Sequence, residues 1–337
     1  MALDEARVEP GLVAALAPEL GRVLRVQSSV LKRRVLRYEI ELDGPVPRLC
    51  LIGKVYESEA AGERGFAALR WLGDQALGAR SRGCVMVPRA VAYLPEFALL
   101  LMEEAGGTSL QRLLRHGDAR PEHARLYARA LLELHAVPAA FGAPFTLDDH
   151  LAVRCAGLTG ALCQAFPELA GPIERLLASA RRAERGELAP ACTLSHGDYH
   201  PGQVHLEDER LWLVDLDPLH QGNPAYDLAM AVFSLQRLEA GPREPRRVGP
   251  LLATFLATYF AHIEPRRAAR LPLDMALIYL KRACKRFRYQ DEDRWPDAVR
   301  HQIAEAERCL DSLETARPPR TVGEVLELCG GFPRAGE

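Results

Sequence analysis

The sequence predicts an α+β protein with two lobes, a small strand-rich N-terminal lobe and a large helical C-terminal lobe. Alternating charged and apolar residues mark segments of the first hundred positions, which is the period of a half-buried strand. After Gly107 the apolar residues recur at helical spacing instead. The length of 337 residues accommodates this arrangement. We expect one domain over residues 1–104 and a second over 105–337.

The N-terminal lobe is predicted to have the order strand, strand, helix, strand, strand. The first two strands cover 33–42 and 48–56, and Lys54 lies near the end of the second one. A helix follows over 62–73, where apolar residues have helical spacing until a glycine ends it. Residues 87–107 contain two more strands around a Pro-Glu turn, and a Gly-Gly pair ends them.

The C-terminal lobe is predicted to be mostly helical. The predicted helices cover residues 121–137, 172–185, 224–239, 248–262, 272–288 and 296–314. Residues 192–216 interrupt this series with short apolar runs, typical of strands, on either side of a polar segment. This interruption concentrates ionisable side chains between hydrophobic runs.

Composition argues against several classes of function. The formal net charge of −2 gives no reason to expect nucleic acid or a membrane surface as a partner. No apolar run reaches the roughly 20 residues of a membrane span, and the first ten residues lack the pattern of a signal peptide. The eight cysteines show neither a C-x-x-C pair nor zinc-site spacing, so we expect buried free thiols in a cytoplasmic protein. The sequence indicates no oligomeric state.

The polar segment SHGDYHPGQV covers residues 195–204, and VDLDPLHQGNPAYDLA follows shortly after it. Asp198 lies in a glycine-containing loop, whereas Asp215 and Asp217 are expected at alternate positions of a short strand, on the same face. Carboxylates that converge on one point repel each other unless a cation lies between them. The oxygens of Asp215 and Gln203 suit Mg²⁺, and such sites commonly perform phosphoryl transfer.

Three other interpretations compete with a magnesium site. An isolated aspartate is most often a turn residue and an isolated histidine a structural one, but here both occur with a carboxamide and a second aspartate. A zinc site from His196, His200 and His205 lacks the helical H-E-x-x-H pattern with its water-activating glutamate. A metal hydrolase using the same acidic cluster would act without binding nucleotide.

The pattern H-G-D-Y-H-P-G-Q-V, followed by V-D-L-D and G-N-P-A-Y-D-L-A, resembles the aminoglycoside phosphotransferase and choline kinase family, relatives of the protein kinases. The resemblance extends from about residue 30 to 235, with LLLMEEAGGTSL as the connector between lobes. It implies a protein-kinase-like fold. It also implies a small-molecule kinase that uses ATP and Mg²⁺ to phosphorylate a hydroxyl group of its substrate.

The resemblance implies a role for each residue of the polar segment. Asp198 would be the catalytic base, and His196 and His200 would hold its loop in shape. Gln203 and Asp215 would bind the Mg²⁺ ion.

The nucleotide-binding residues that the resemblance implies lie mostly in the N-terminal lobe. They are Lys54, Glu63, Met102, Glu103, Ala105 and Asp217. Lys54 would contact the α- and β-phosphates, and backbone groups from Glu103 to Ala105 would hold the adenine. Glu63 fits best as the acidic partner of Lys54, and Glu59 is the second candidate.

The segment NPAYDLA is predicted to begin a helix, with Asn223 as its cap and Pro224 at its first position. Asp227 would then lie in the first turn, where the helix dipole favours a carboxylate. We interpret Asp227 as an architectural residue that hydrogen-bonds the loop of Asp198.

The chain departs from the family pattern at three points. Gln203 occupies a position where the family usually has asparagine, and the N-terminal strands carry no glycine-rich phosphate loop. The acidic partner of Lys54 is also ambiguous, since both Glu63 and Glu59 are candidates. These departures leave open an alternative, a nucleotide-binding pseudokinase or regulatory protein without turnover. Because Asp198 and Asp215 are both intact, the sequence favours the enzyme.

The basic residues bear on the substrate. Lysine occurs only at positions 32, 54, 281 and 285, which makes each lysine a functional candidate. Residues 265–295 carry nine basic residues against four acidic ones, and Asp291, Glu292 and Asp293 cluster after the predicted helix. A solvated surface and a basic cleft are equal alternatives for this segment. In a basic cleft, a polycationic aminoglycoside would be repelled and a neutral or anionic hydroxyl compound favoured.

Overall fold

The computed structural model describes residues 10–11, 13, 22–44, 46–74, 77, 83–138, 140–185, 193–239, 248–290, 293–315 and 317–330. These residues form two compact units. The first is drawn from Met1–Thr108 and His205–Asp217, and the second from Ser109–Val204 and Pro218–Glu337. The chain therefore leaves the first unit after Thr108 and returns to it for one short segment.

The first unit is built around an antiparallel five-stranded sheet with the spatial order β1-β2-β3-β6-β5. Its strands are β1 (Arg22–Lys32), β2 (Val35–Asp43), β3 (Arg48–Val55), β5 (Ala90–Leu94) and β6 (Leu99–Glu103). Helix α1 (Glu59–Asp74) follows β3. A smaller sheet has the order β4-β10-β9-β7. It consists of β4 (Val85–Met86), β7 (Thr108–Ser109), β9 (Val204–Glu207) and β10 (Arg210–Leu213).

The core of the five-stranded sheet explains why its segments form strands. It consists of Leu36, Tyr38, Ile40, Leu42, Leu51, Leu94, Leu99 and Leu101. The first four residues lie at every second position of β2, so one face of that strand is buried, as its alternating pattern predicts. The predicted strand, strand, helix, strand, strand order is confirmed, with the 3₁₀ turn Pro95–Phe97 between the last two strands.

Strand β1 is an addition to the predicted elements. It lies at the edge of the sheet and pairs only with β2 in the sheet order. Three of its apolar side chains, Leu24, Val30 and Leu31, are exposed, so the strand has no buried stripe. An edge strand buries few side chains, and its sequence therefore lacks the alternation that predicts the central strands.

The second unit contains all six helices predicted for the C-terminal part of the chain. Its helices are α2 (Leu110–His116), α3 (Pro121–Ala136), α4 (Thr159–Ala165), α5 (Ala170–Arg185), α6 (Pro224–Glu239), α7 (Gly249–Phe260), α8 (Leu271–Tyr289), α9 (Trp295–Thr315) and α10 (Val322–Gly330). A helical turn at Leu147–Asp149 continues into the π-helical segment His150–Arg154. Strands β8 (Thr193–Ser195) and β11 (His220–Gly222) pair antiparallel.

Helix α8 lies at the centre of the second unit. Every residue from Leu271 to Leu280 is buried, and the helix packs against α9 and α6. Among these apolar residues, Asp274 is compensated by Arg270 at 3.3 Å and by the amide of Asn223, which donates to it at 2.9 Å. None of the described helices is long and apolar enough to cross a membrane.

The seven described cysteines are free, as predicted, but only four of them are buried: Cys155, Cys284, Cys309 and Cys329. The prediction of burial is wrong for Cys50, Cys84 and Cys163, which are partly exposed. The eighth, Cys192, lies outside the described residues. Two of the acids predicted to cluster after helix α8, Asp291 and Glu292, also lie outside them, whereas Asp293 is exposed.

Candidate active site

In the first unit, Lys54 on the central strand β3 holds two carboxylates. Its Nζ donates to Asp215 and lies 2.6 Å from Oδ2 of Asp217. The hydroxyl of Tyr56 donates to the other oxygen of Asp217 at 2.7 Å. Burial lowers the pKa of Lys54, but the two carboxylates raise it by more than burial lowers it. The pKa of Lys54 therefore lies above its ordinary value. The Lys54 side chain is therefore a cation shared by both aspartates.

The prediction that Asp215 and Asp217 lie on a strand is wrong. Strand β10 ends at Leu213, and Asp215 has a φ of 61°, in the left-handed region. A regular strand cannot contain this conformation, which is unfavourable for residues with a side chain and best tolerated by aspartate and asparagine. The two carboxylates converge as predicted, but the turn after β10 brings them together rather than strand alternation.

Lys54 does not pair with Glu63 or Glu59, and the predicted pairing is corrected accordingly. The buried face of helix α1 carries glycines, whereas both glutamates are exposed. A Cβ atom at Gly62 would overlap the ring of Tyr93, so the helix packs closely at this point. Because Glu63 lies outside that packed face, the carboxylates from the turn after β10 meet Lys54 instead.

The residues predicted to hold the adenine lie at the end of strand β6. Met102 is paired on both sides, with β3 and with β5. Glu103 is the last residue of the strand: its N–H donates to the carbonyl of Arg89 at 2.9 Å, and its carboxylate accepts from the Arg89 N–H at 3.2 Å. Ala105 follows after the regular sheet pairing has ended.

In the second unit, the segment SHGDYHPGQV forms a loop that follows strand β8 and ends in the 3₁₀ turn Pro201–Gln203. Gly197 has a φ of 79°, and a Cβ atom there would lie 2.8 Å from the carbonyl oxygen of Pro218. This position requires glycine for both reasons. The hydroxyl of Tyr199 donates to the carbonyl of Tyr127 on helix α3 at 2.6 Å, which ties the loop to the helical core.

Asp227 holds the backbone of this loop, as predicted. Its carboxylate is fully buried and accepts hydrogen bonds from the N–H groups of His196 at 2.7 Å and Gly197 at 2.8 Å.

The predicted cap of helix α6 is confirmed as well. Oδ1 of Asn223 accepts a hydrogen bond from the N–H of Ala225 at 3.1 Å, and the helix begins at Pro224.

We expect Asp227→Ala to destabilise the protein by about 3 kcal/mol, because two buried N–H groups lose their acceptor. The free energy of unfolding in urea measures this effect. Asp311→Ala is the control, since Asp311 makes an exposed ion pair with Arg175 and its loss should cost about 1 kcal/mol or less. Equal losses for the two variants would contradict the role of Asp227.

Asp198 lies on this loop with its carboxylate about one third exposed, at 29%. Lys281 on helix α8 donates to Oδ1 at 3.0 Å, and Nε2 of His200 lies 3.6 Å from Oδ2. Burial raises the pKa of Asp198, but Lys281 and His200 lower it by more than burial raises it. The pKa of Asp198 therefore lies below its ordinary value. Asp198 is therefore ionised at neutral pH.

The other loop residues differ in their exposure. Nδ1 of His200 accepts from the N–H of Gly202 at 3.0 Å, so a neutral ring carries its proton on Nε2, the nitrogen that faces Asp198. His196 is fully buried, and Gln203 is 8% exposed in the 3₁₀ turn. His200 thus meets the Asp198 carboxylate, whereas His196 lies inside the unit.

Lys281 is a site residue that the sequence pattern does not reveal. It belongs to the basic segment 265–295, for which a solvated surface and a cleft lining are equal alternatives. The structure separates these alternatives residue by residue, because Lys281 meets Asp198 while Lys285, one turn further along helix α8, is exposed. The rarity of lysine in this chain is the signal that could have selected it.

Comparison with known proteins gives three kinds of result. The family model described as "APH: Phosphotransferase enzyme family" matches residues 35–271. No curated protein shows significant similarity to the chain. Among solved structures, a choline/ethanolamine kinase family protein from Mesorhizobium loti has a TM-score of 0.56 and 15% identity, covering 96% of this chain and 99% of that one.

Two further solved structures share the fold. A thermostable mutant of aminoglycoside phosphotransferase APH(4)-Ia, with ADP and hygromycin B, has a TM-score of 0.60 and 14% identity, covering 91% of this chain and 100% of that one. Amicoumacin kinase hAmiN, in complex with AMP-PNP, Ca²⁺ and Ami, has a TM-score of 0.58 and 14% identity, covering 96% of this chain and 97% of that one. The predicted protein-kinase-like α+β fold, with a strand-rich N-terminal part and a helical C-terminal part, is confirmed.

Proposed function

The chain belongs to the phosphotransferase enzyme family, and from this premise we propose that it transfers the γ-phosphate of ATP to a hydroxyl group of a small molecule, with Mg²⁺ as cofactor. The observation that carries the proposal is the ionised carboxylate of Asp198, which Lys281 contacts on a loop that Asp227 holds. The complexes of APH(4)-Ia with ADP and of hAmiN with AMP-PNP and Ca²⁺ support a nucleotide and a divalent cation.

Asp198 acts as the base. Phosphoryl transfer requires that the acceptor hydroxyl be positioned and that its proton have somewhere to go. An ionised, partly exposed carboxylate accepts a hydrogen bond from that hydroxyl and takes its proton. His200 and Lys281 orient the carboxylate, and the buried His196 maintains the loop from inside.

The residues of the first unit fit a magnesium–nucleotide complex. Asp215 and Asp217 share one cation, the ammonium group of Lys54, so their oxygens point to a common place that favours positive charge. The carboxylate oxygen of Asp215 is a hard donor of the kind that Mg²⁺ prefers, and so is the amide oxygen of Gln203, which belongs to the second unit. When bound, Mg²⁺ neutralises charge on the phosphates and links them to the protein.

The remaining residues of the first unit bind the nucleotide itself. Lys54 contacts the α- and β-phosphates, and the backbone from Glu103 to Ala105 holds the adenine beside Met102. This assignment is supported by the end of strand β6 at Glu103, after which Ala105 lies outside the regular sheet pairing. The cytoplasmic location expected from the sequence stays a prediction.

A nucleotide-binding protein without turnover is the second candidate, because Gln203 stands where asparagine is usual in the family. Slow hydrolysis of ATP in the presence of Mg²⁺ and the absence of any acceptor distinguishes the two functions. We expect the wild type to release ADP above the rate of uncatalysed hydrolysis. The proposal of a kinase fails if ATP binds but no ADP is released, with or without a panel of alcohols and sugars.

We expect Lys281→Met to shift the acidic limb of the pH profile of kcat/KM to higher pH. In the wild type the pKa of Asp198 lies below its ordinary value, so activity is lost only when the pH falls through that low pKa. Without the cation, burial of the carboxylate raises its pKa, and protonation begins at higher pH. Lys285→Met is the matched control from the same helix. Identical acidic limbs for the wild type and Lys281→Met would exclude this role.

We also expect aminoglycosides to be poor substrates and a neutral or anionic hydroxyl compound to be the acceptor. The ammonium group of Lys281 already pairs with the Asp198 carboxylate, so this carboxylate offers no uncompensated negative charge to a multiply charged cation. A coupled assay of ATP consumption with kanamycin tests this expectation. A kcat/KM above about 10⁴ M⁻¹s⁻¹, the lower end for a dedicated enzyme, would overturn it.

A further inference from the structure

A cavity of about 50 Å³ lies inside the second unit, close to the loop of Asp198. By the usual measure it has room for roughly three to five water molecules, which also suffices for a small polar group of a ligand. Its polar lining includes His150, Arg154, Glu184, Tyr226, Arg270 and Asp274. Charged side chains around a cavity of this size indicate recognition of a charged group.

Arg154 is a charged side chain of this lining that has a buried donor without an acceptor. Its guanidinium lies between two aromatic rings, 4.4 Å from the ring centre of Phe145 and 3.8 Å from that of Tyr226. Its Nη2 atom is buried and has no hydrogen-bond partner among the described residues. A buried donor without a partner costs about 1–3 kcal/mol or more if charged, so an acceptor at this place would stabilise the protein.

Two other polar atoms of the lining residues are also buried without a hydrogen-bond partner among the described residues. Nε2 of His150 and the hydroxyl of Tyr226 are buried without hydrogen-bond partners in the described part of the chain, on side chains that are 3% and 5% exposed. Burial, and then the charges of Arg154 and Lys281, lower the pKa of His150 to about 3, so its ring is neutral. Together with Arg154, these groups provide polar atoms for a ligand oxygen.

The acids of the cavity are already engaged. Glu184 accepts from the N–H of Leu147 at 2.7 Å. Asp274 is 1% exposed and is compensated by Arg270 and Asn223, as described above. In the described part of the chain, Nη2 of Arg154 is therefore a charged donor of the lining that lacks an acceptor, and an anionic oxygen is the strongest acceptor for it.

The cavity adjoins the candidate base through Gly197, the residue that precedes Asp198. A Cβ atom at Gly197 would lie 3.0 Å from Nη2 of Arg154, so the guanidinium packs directly against the backbone of the loop. Lys281 contacts the Asp198 carboxylate itself, at 3.0 Å. A ligand group held by Arg154 is thus a near neighbour of Asp198.

We propose that the cavity around Arg154 binds an anionic group of the acceptor, a carboxylate or a phosphate, while the hydroxyl group of the same molecule is presented to Asp198. This inference rests on the proposed kinase function and specifies its substrate class as an anionic alcohol. Arg154 is then a specificity-determining residue.

Three probes with one scaffold test the inference: glycerol, glycerate and glycerol 3-phosphate. Their affinities are measured by calorimetry without nucleotide, so that binding is separated from turnover. We expect at least one of the two anions to bind about tenfold or more tightly than glycerol, as a hydrogen bond to a charged group provides. The anion that binds more tightly identifies the group as carboxylate or phosphate.

Variants of Arg154 show whether this cavity is responsible. Arg154→Gln should abolish the preference for the anion, and Arg154→Lys, which keeps the charge, should retain part of it. Arg300→Gln is the matched control, because Arg300 also lies over an aromatic ring, 5.0 Å from the centre of Phe166, but is 49% exposed and pairs with Glu168. This control should keep the preference within about twofold.

The possible results separate the subsite from the kinase function. Equal or undetectable binding of the three probes to the wild type would overturn the subsite whatever the variants do. Preference for an anion that survives in Arg154→Gln would overturn it as well. Binding as expected without any ATP-dependent phosphorylation would leave the subsite in place and refute the kinase. Phosphorylation of an anionic alcohol with the same kcat/KM in wild type and Arg154→Gln would support the kinase and refute the subsite.

Discussion

Asp198→Asn is expected to reduce the rate of phosphoryl transfer by about a thousandfold, within the range of general base catalysis, and to leave the affinity for ATP within about threefold. Asparagine has the same shape and still offers an oxygen to Lys281, which contacts the wild-type carboxylate at 3.0 Å. It has no negative charge to accept the proton of the acceptor hydroxyl. Since the base acts in the chemical step, kcat falls while ground-state binding is retained.

The measurement is kcat from a coupled assay of ADP release, together with the dissociation constant of Mg²⁺·ATP from calorimetry. Asp118→Asn is the control, because Asp118 is an exposed aspartate of the same unit. Asp198→Asn should also retain the melting temperature of the wild type within a few degrees. Turnover of this variant within threefold of the wild type would show that Asp198 is not the base.

Asp215→Asn is expected to weaken the binding of Mg²⁺·ATP by at least about tenfold, and to leave the binding of metal-free adenosine unchanged. Asp215 supplies the carboxylate of the proposed Mg²⁺ site, and a neutral amide loses most of the attraction for a divalent cation. Asparagine is chosen because Asp215 has a φ of 61°, which asparagine tolerates, whereas alanine would add backbone strain to the effect on the metal.

Asp208→Asn provides a closely matched control. Asp208 lies in the turn between strands β9 and β10 of the same unit, is exposed, and also has a positive φ, of 52°. The two variants therefore make the same chemical change in the same backbone conformation. Titration of each variant with Mg²⁺·ATP and with adenosine separates the effect on metal binding from the effect on binding of the nucleoside. Equal affinity of the wild type and Asp215→Asn for Mg²⁺·ATP would exclude Asp215 as a metal ligand.

The regular elements could be predicted because their cause is local. The alternation on strand β2 and the helical spacing on α3 show which side of each element is buried, and that side is set by residues only a few positions apart. The cap at Asn223 and Pro224 is local in the same sense. Edge strand β1 escaped prediction because it buries too little to leave a pattern.

The candidate site could be predicted only in part. The polar loop around Asp198 and the two aspartates after strand β10 stand out because polar side chains there interrupt hydrophobic runs. The left-handed conformation of Asp215 has no counterpart in the alternation of the sequence, and the predicted strand at this point was therefore wrong. The choice of Glu63 failed for a related reason, since its position on helix α1 depends on how closely the glycines of that helix pack.

By itself the sequence determined the fold class, the family and the acidic residues that carry the proposed chemistry. Only the tertiary structure decided which cation meets each carboxylate. Lys54 and Asp215 are 161 positions apart, and Lys281 and Asp198 are 83 apart. The interaction of two charges depends on their distance in space and on their burial, not on their separation along the chain. The pairing of Lys281 with Asp198, and the unpartnered guanidinium N–H of Arg154 near them, therefore emerge only when the helices have packed.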